Sequence, residues 1–283
     1  MRFVTALLLW LVTTVLLAAA LPAAWAQKNL VDQDGYAAFA GAAARDPQLQ
    51  RAVAGELSTQ VVTLAAGNGT TVNPALVRGI AGAYTASPSF PGQFAQANRF
   101  AHRWMFTDTI RTDEDPQGRW VVDLAPMLSD SAFAQTLSDL NLQVPQTLPV
   151  PLTENAPDSL RPGQLRVFAT WGPWVSVGAA ILTGVFALLT LAAARSRGKA
   201  LAALGVSALL VGAAGWAGLE VGRRRVDQAL NDTSGDIRQI ADALVGHATA
   251  SMHHWLNLTL AAGGALVVLG VVVAMLGGLV RRT

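Results

Sequence analysis

The sequence predicts a mainly α-helical membrane protein, with four transmembrane helices and a mostly helical extracytoplasmic domain that holds at most a short strand pair. Composition is the first reason: 52% of the 283 residues are hydrophobic and only 13% are charged, against about 25% charged in an ordinary soluble domain. The second reason is that the apolar residues are concentrated in four long segments. The chain has no cysteine, which excludes disulfides, thiolate catalysis and thiolate metal sites.

The four apolar segments have the length of membrane spans. They cover residues 3–21, 167–194, 200–219 and 255–280, and about 20 residues are needed to cross about 30 Å of hydrocarbon. Each span is predicted to be a helix because the bilayer offers the backbone no hydrogen-bond partner. The first span also resembles a secretory signal, since Ala24-Trp25-Ala26 has the form of a cleavage site. Its 19-residue apolar core exceeds the usual length of about 7–15 residues, which favours a retained anchor.

Charges and tryptophans at the span ends predict a multi-pass protein of the plasma (inner) membrane with both termini in the cytoplasm. Six basic residues then lie on the cytoplasmic side: Arg2, Arg195, Arg197, Lys199, Arg281 and Arg282. Five tryptophans lie at the outer interface, which favours amphipathic rings: Trp25, Trp171, Trp174, Trp216 and Trp255. The predicted domains are an anchor at residues 1–26, an extracytoplasmic domain at residues 27–166 and a three-span region at residues 167–283. In that last region, residues 220–254 form an outer amphipathic segment that contains Arg223-Arg224-Arg225.

Start signals predict three helices in the extracytoplasmic domain. Asp46-Pro47 and Asn73-Pro74 each place a capping side chain before a proline, and Ser87-Pro88 precedes a third helical segment. Apolar residues after the first signal recur at helical spacing: Leu49, Val53, Leu57, Val61 and Leu64. The third segment has an apolar face made of Phe90, Phe94, Ala97, Ala101 and Met105.

The rest of this domain carries weaker signals. Residues 131–140 are predicted to form a shorter helix, and residues 120–124 have the β-branched and aromatic character of a short strand. A turn is predicted at Asp115-Pro116-Gln117-Gly118. Three prolines within residues 144–152 predict an extended connector.

Two groups of polar residues are candidate sites. Arg99, His102 and Arg103 lie on adjacent turns of the third helix and are candidate ligands of an anion such as phosphate or carboxylate. The alternative is a polar face paired with Asp108, Asp113 and Glu114.

The second group is His247, His253 and His254. His247 and His254 are two helical turns apart, too far to bind one metal ion through bonds of about 2 Å, so interfacial histidines are the favoured interpretation. No nucleophile elbow, phosphate-binding loop or metalloprotease motif is present in the sequence. We therefore expect neither an enzyme nor a resident metal or cofactor.

Small residues recur in the spans at helix-packing spacing. Gly263, Gly270 and Gly277 repeat every seven residues in the last span, Ala208 and Gly212 lie in the third, and Ser176, Ala180 and Gly184 lie in the second. Such stripes let helix backbones approach closely. Two interpretations stay open: packing within the chain's own bundle, and docking on a larger membrane partner.

Several short motifs resemble a known group of proteins. They are Asp34-Gly35-Tyr36, residues 45–50 (RDPQLQ), residues 97–102 (ANRFAH) and residues 122–126 (VDLAP), followed by three C-terminal spans. This order resembles actinobacterial four-span integral membrane proteins with one large exported loop. The resemblance implies the same topology and no particular reaction.

The predicted function is a non-catalytic accessory or regulatory subunit of an actinobacterial cell-envelope membrane complex, with other integral membrane subunits as partners. By analogy, a lipid transporter of the mammalian-cell-entry type is the first expectation for that complex. The alternative is an envelope sensor or a lipid- or peptide-binding membrane protein, with a cavity lined by aromatic residues such as Phe90, Phe94 and Trp104. A metal enzyme using His102 is the weakest interpretation. The net charge of +2 favours no nucleic-acid partner.

Overall fold

The computed structural model describes residues 2–67, 69, 71–107, 121–123, 149–151, 163–231 and 233–279. This part of the chain is mainly helical, as predicted. In chain order the elements are α1 Arg2–Ala26, α2 Gln33–Ala43, α3 Pro47–Gly67, α4 Pro74–Thr85, α5 Phe90–Phe106, β1 Val121–Asp123, β2 Pro149–Pro151, α6 Arg166–Ala193, α7 Arg197–Ala229 and α8 Gly235–Leu279.

Four of these helices are long and apolar enough to cross a membrane: α1, α6, α7 and α8. They cover the four segments predicted as spans except for Ala194, which follows α6, and Val280, which lies outside the described residues. The prediction of a multi-pass membrane protein is therefore confirmed. Helix α1 continues through Pro22 to Ala26, and residues Gln27–Val31 form a π-helical segment after it. Neighbouring helices allow proline inside a membrane helix because they satisfy the freed backbone groups.

Contacts divide the chain into two compact units. The first, here called the membrane unit, consists of residues 1–27, 171–227 and 248–283. The second, here called the helical unit, consists of residues 28–170 and 228–247. The start of α8 therefore belongs to the helical unit, and the remainder of α8 belongs to the membrane unit.

Hydrogen bonds hold α1 to its neighbours in the membrane unit. Trp10 Nε1 donates to the carbonyl of Ala203 on α7 at 2.8 Å. The hydroxyls of Thr14 and Ser207 lie 2.7 Å apart. Polar groups in hydrocarbon need partners of this kind, because lipid chains offer none. Helix α1 is thus part of the bundle rather than a separate apolar segment.

The helical unit begins its helices where the sequence signals them. The Asp46 carboxylate accepts the backbone N–H of Gln48 at 2.7 Å and caps α3. The Asn73 side chain accepts the N–H of Ala75 at 2.9 Å and caps α4. Helix α5 begins at Phe90, after Ser87-Pro88 as predicted, and Pro91 lies in its first turn.

The core of the helical unit is built from α2, α3, α4, α5 and the start of α8. The predicted apolar face of α3 is buried at Leu49, Val53, Leu57 and Val61, while the side chain of Leu64 lies outside the described residues. Tyr84 of α4 packs edge-on against Phe90 of α5, with ring centroids 5.7 Å apart. The structure therefore confirms the helical spacing read from the sequence at these positions.

Strands β1 and β2 pair antiparallel, with Val122 opposite Val150. Strand β1 lies in the segment predicted as a strand, and β2 lies within the proline-rich segment predicted as an extended connector. The predicted helix at residues 131–140 and the predicted turn at residues 115–118 lie outside the described residues.

Candidate functional site

The three side chains proposed as anion ligands on α5 have different surroundings. Arg99 binds the Asp34 carboxylate on α2 at 2.8 Å, Arg103 is exposed, and His102 is buried. Asp34 thus supplies the acidic partner of Arg99; Asp108, Asp113 and Glu114 lie outside the described residues. The sequence separation of 65 between Asp34 and Arg99 explains why the sequence did not indicate this pair.

His102 has a packing role in the structure. Its Nε2–H donates to the Leu30 carbonyl of the π-helical segment at 3.1 Å. Its ring stacks on Phe106, with centroids 4.2 Å apart, and the Tyr36 ring lies 5.2 Å away. Burial lowers the pKa of His102. Hydrogen bonds to the backbone of Leu30 and Val31 and the negative charge of Asp32 raise it, but the effect of burial is the largest. The neutral imidazole therefore holds the π-helical segment against α5.

The other histidines have different surroundings. The His253 ring stacks on Trp216 of α7, with centroids 3.7 Å apart. The His247 ring packs against Phe39 of α2 at 4.8 Å. Among the residues that the structure describes, no group of three side chains has an arrangement that could hold a metal ion.

The glycine stripe of α8 lies against α7. A Cβ at Gly270 would lie 2.6 Å from the Gly198 carbonyl oxygen, and one at Gly263 would lie 2.9 Å from that of Gly205. The relation is reciprocal, since a Cβ at Gly205 would lie 2.6 Å from the Gly263 oxygen. Ala208 and Gly212 lie on the same face of α7, where a Cβ at Gly212 would meet the Leu260 side chain at 2.6 Å. At these positions the observed contacts are packing within the chain's own bundle, so this face of α8 is already covered by α7.

The helices α7 and α8 therefore contact each other through two matched stripes. Gly198, Gly205 and Gly212 are seven residues apart on α7, as Gly263 and Gly270 are on α8, and the helices run antiparallel. The sequence analysis named only Gly212 of the α7 stripe. The seven-residue spacing of Gly198, Gly205 and Gly212 is the sequence signal that could have identified the complete stripe.

Two small residues from these stripes have open space. A Cβ at Gly277 or at Gly184 would meet no atom within 4 Å in the part of the chain that the structure describes. Most of the large apolar side chains of α6 are exposed, while Ser176 and Thr190 are buried. Ser176, at the other end of the α6 stripe, is buried.

The helical unit contains a cleft that the sequence analysis did not identify. It has a volume of about 490 Å³ and lies between α3, α4 and the first turns of α8. Its polar lining includes Gln50, Arg51, Arg78, Asp236 and Gln239. These residues come from three helices that are distant in sequence, so no local motif marks them.

Comparisons with known proteins identify no relative of this chain. The chain matches no protein-family model, no curated protein and no solved structure.

Proposed function

We propose that this protein is a non-catalytic accessory or regulatory subunit of a cell-envelope membrane complex. Its membrane unit serves as the attachment module, and its helical unit lies on the extracytoplasmic side with both termini in the cytoplasm. Other integral membrane subunits are its partners.

The observation that carries this proposal is the contrast between the interior and the exterior of the membrane unit. Inside, glycine backbones and hydroxyl pairs fill the space between helices, as in the contact of Gly205 with Gly263. Outside, α6 presents an apolar surface with the open position Gly184. Small residues allow close approach of another membrane helix, and we therefore assign partner docking to α6.

A lipid transporter of the mammalian-cell-entry type is the first candidate for the complex. This choice rests on the resemblance of the motifs to actinobacterial envelope proteins and on analogy. The structure supports the accessory role through the packing of the membrane unit, and the identity of the partner depends on the experiment below.

Native purification tests the accessory role. The full chain carries an affinity tag after Thr283 and is extracted from its own membranes in a mild detergent. We expect other integral membrane proteins to be recovered in a constant ratio. Recovery of the chain alone, in a folded state, contradicts the proposal.

Two glycine variants make this test specific. Gly184→Leu adds a side chain on the open face of α6 and is expected to release the partners while the chain stays folded. Gly264→Leu is the matched control, because Gly264 also has open space around it but lies on α8. Partner loss from both variants, or from neither, contradicts docking through α6.

A second candidate function is a ligand-binding envelope protein, in which the helical unit senses or carries a small molecule. The cleft lined by Arg51 and Arg78 favours it. The aromatic cavity predicted from Phe90 and Phe94 does not, because both side chains are buried in the core. Mass spectrometry of small molecules released from the purified full chain tests this candidate, and an empty protein contradicts it.

A further inference from the structure

The charged groups of the cleft do not neutralise one another. Arg51 uses its Nε to donate to the Pro47 carbonyl at 3.0 Å, and its two Nη groups bond to no other residue that the structure describes. Among the described residues, the Arg78 guanidinium and the Asp236 carboxylate form no ion pair or hydrogen bond. The cleft therefore contains two cationic groups and one anionic group that are held apart.

The position of Asp236 depends on a glycine. Its carboxylate lies directly over Gly55 of α3, and a Cβ at that position would come within 2.6 Å of Asp236 Oδ1. Glycine in a helix interior is less favourable than alanine. The approach of Asp236 to α3 is the feature that requires glycine here, and it brings an acidic group to the same cleft as Arg51.

The neutral groups of the cleft suit a small polar ligand. Gln50 donates through Nε2 to the Ala44 carbonyl at 3.0 Å, so its Oε1 is left as an acceptor. Gln239 adds an amide that forms no hydrogen bond with another described residue. A site that holds an oxyanion on arginines and an ammonium group on a carboxylate uses the three charged groups of the cleft, and the two amides leave its lining polar.

We propose that this cleft binds a small zwitterion that carries an oxyanion and a primary ammonium group. Arg51 and Arg78 bind the oxyanion, and Asp236 accepts hydrogen bonds from the ammonium group. A purely anionic ligand fits less well, because the Asp236 charge repels it. This inference rests on the second candidate function, ligand binding by the helical unit, and is independent of docking through α6.

Phosphoethanolamine is the soluble probe for this site. The full-length protein in neutral detergent micelles is titrated with phosphoethanolamine, inorganic phosphate and ethanolamine in separate samples, and the phosphorus ligands are followed by ³¹P NMR. Phosphoethanolamine is expected to bind at least about tenfold more tightly than inorganic phosphate, because only the zwitterion uses Asp236. Equal affinity for the two phosphorus ligands overturns the assignment of Asp236.

Charge-removing variants assign the groups. Arg51→Gln and Arg78→Gln are each expected to weaken phosphoethanolamine binding at least about tenfold. Asp236→Asn is expected to weaken phosphoethanolamine binding while strengthening binding of inorganic phosphate, an opposite response that unfolding of the site cannot produce. The matched control is Arg45→Gln, since Arg45 is exposed and does not line the cleft. An equal loss with Arg45→Gln overturns the proposal.

The zwitterion has two possible sources, a free solute and a lipid headgroup. A second arm therefore measures the unfolding temperature in phosphatidylglycerol nanodiscs with and without phosphatidylethanolamine. Phosphatidylethanolamine is the source only if it raises the unfolding temperature of the wild type and of Arg45→Gln but not that of Arg51→Gln, Arg78→Gln or Asp236→Asn. This result identifies the ligand as a lipid headgroup. Binding in the soluble arm alone assigns a free solute. Absence of both effects in the wild-type protein overturns the inference, while a different molecule found by mass spectrometry in the purified protein leaves the ligand-binding function standing.

Discussion

The two units of this protein pack their helices in opposite ways. In the membrane unit, α7 and α8 meet backbone to backbone at Gly198, Gly205, Gly263 and Gly270. In the helical unit, α3, α4 and α5 meet through large buried side chains such as Leu57, Tyr84 and Phe90. The contact between α7 and α8 is close because glycines have no side chain, whereas α3, α4 and α5 contact one another through their side chains.

The difference follows from the solvent. Lipid chains are as apolar as leucine, so burial of apolar side chains does not drive membrane helices together, and close packing and hydrogen bonds take its place. The core of the helical unit is packed as in water-soluble helical proteins, where burying a large apolar side chain contributes about 1.5–3 kcal/mol. Added atoms should therefore damage the membrane unit, and removed atoms should damage the helical unit.

The largest effect is expected from Gly270→Leu. A leucine at this position overlaps the backbone of α7 around Gly198 and Ala202, and neither backbone can move without separating the helices. The cost should exceed the usual range for overpacking, about 1–3 kcal/mol. Recovery of monodisperse protein after detergent extraction measures it. Gly264→Leu is the control and should be recovered like the wild type; equal recovery of both variants places Gly270 against lipid.

The converse change is Leu57→Ala in the helical unit. Leu57 is 1% exposed, so its truncation leaves a cavity and should destabilise the unit by about 2–5 kcal/mol. Leu76→Ala on α4 is the matched control, because Leu76 is 52% exposed. Thermal unfolding of the full chain in micelles compares the two variants. Similar unfolding temperatures contradict the predicted core.

The pH dependence of His102 sharpens the comparison, because His102 lies in the helical unit. Burial lowers its folded-state pKa below the unfolded value near 6.5. The unfolded chain therefore binds more protons between these two pKa values, and stability falls as pH decreases from about 6.5. His102→Gln should remove that part of the pH dependence, whereas His254→Gln should retain it. Unfolding curves from pH 5 to 8 measure both, and an unchanged slope in His102→Gln contradicts this role.

The smallest effect is expected from the hydroxyl pair in the membrane unit. Ser207→Ala removes the bond to Thr14 but adds no bulk, and Thr14 keeps a bond to the Trp10 carbonyl of its own helix. The cost should be about 0.6 kcal/mol, the average for membrane hydrogen bonds. Thr183→Ala is the control, since the Thr183 hydroxyl donates to the Ala179 carbonyl of its own helix and, within the described part of the chain, bonds to no other helix. A loss with Ser207→Ala as large as that with Gly270→Leu indicates that hydroxyl bonds, not backbone contacts, dominate.

Local signals made the helices predictable. The spans follow from uninterrupted apolar length, and the starts of α3 and α4 follow from Asp46-Pro47 and Asn73-Pro74. Contacts between distant segments were not predictable in the same way. The Arg99–Asp34 ion pair and the approach of Asp236 to Gly55 join residues far apart in sequence, so their geometry emerges only in the folded chain.

Cross-linking from α6 in intact membranes tests most directly whether the membrane unit closes on itself and leaves that helix for a partner. A photoreactive amino acid replaces Gly184 in one strain and Gly264 in another, and both are irradiated before detergent is added. Position 184 should yield an adduct with another integral membrane protein, and position 264 should yield none. Protein adducts from position 264 alone, or lipid adducts alone at position 184, contradict docking through α6.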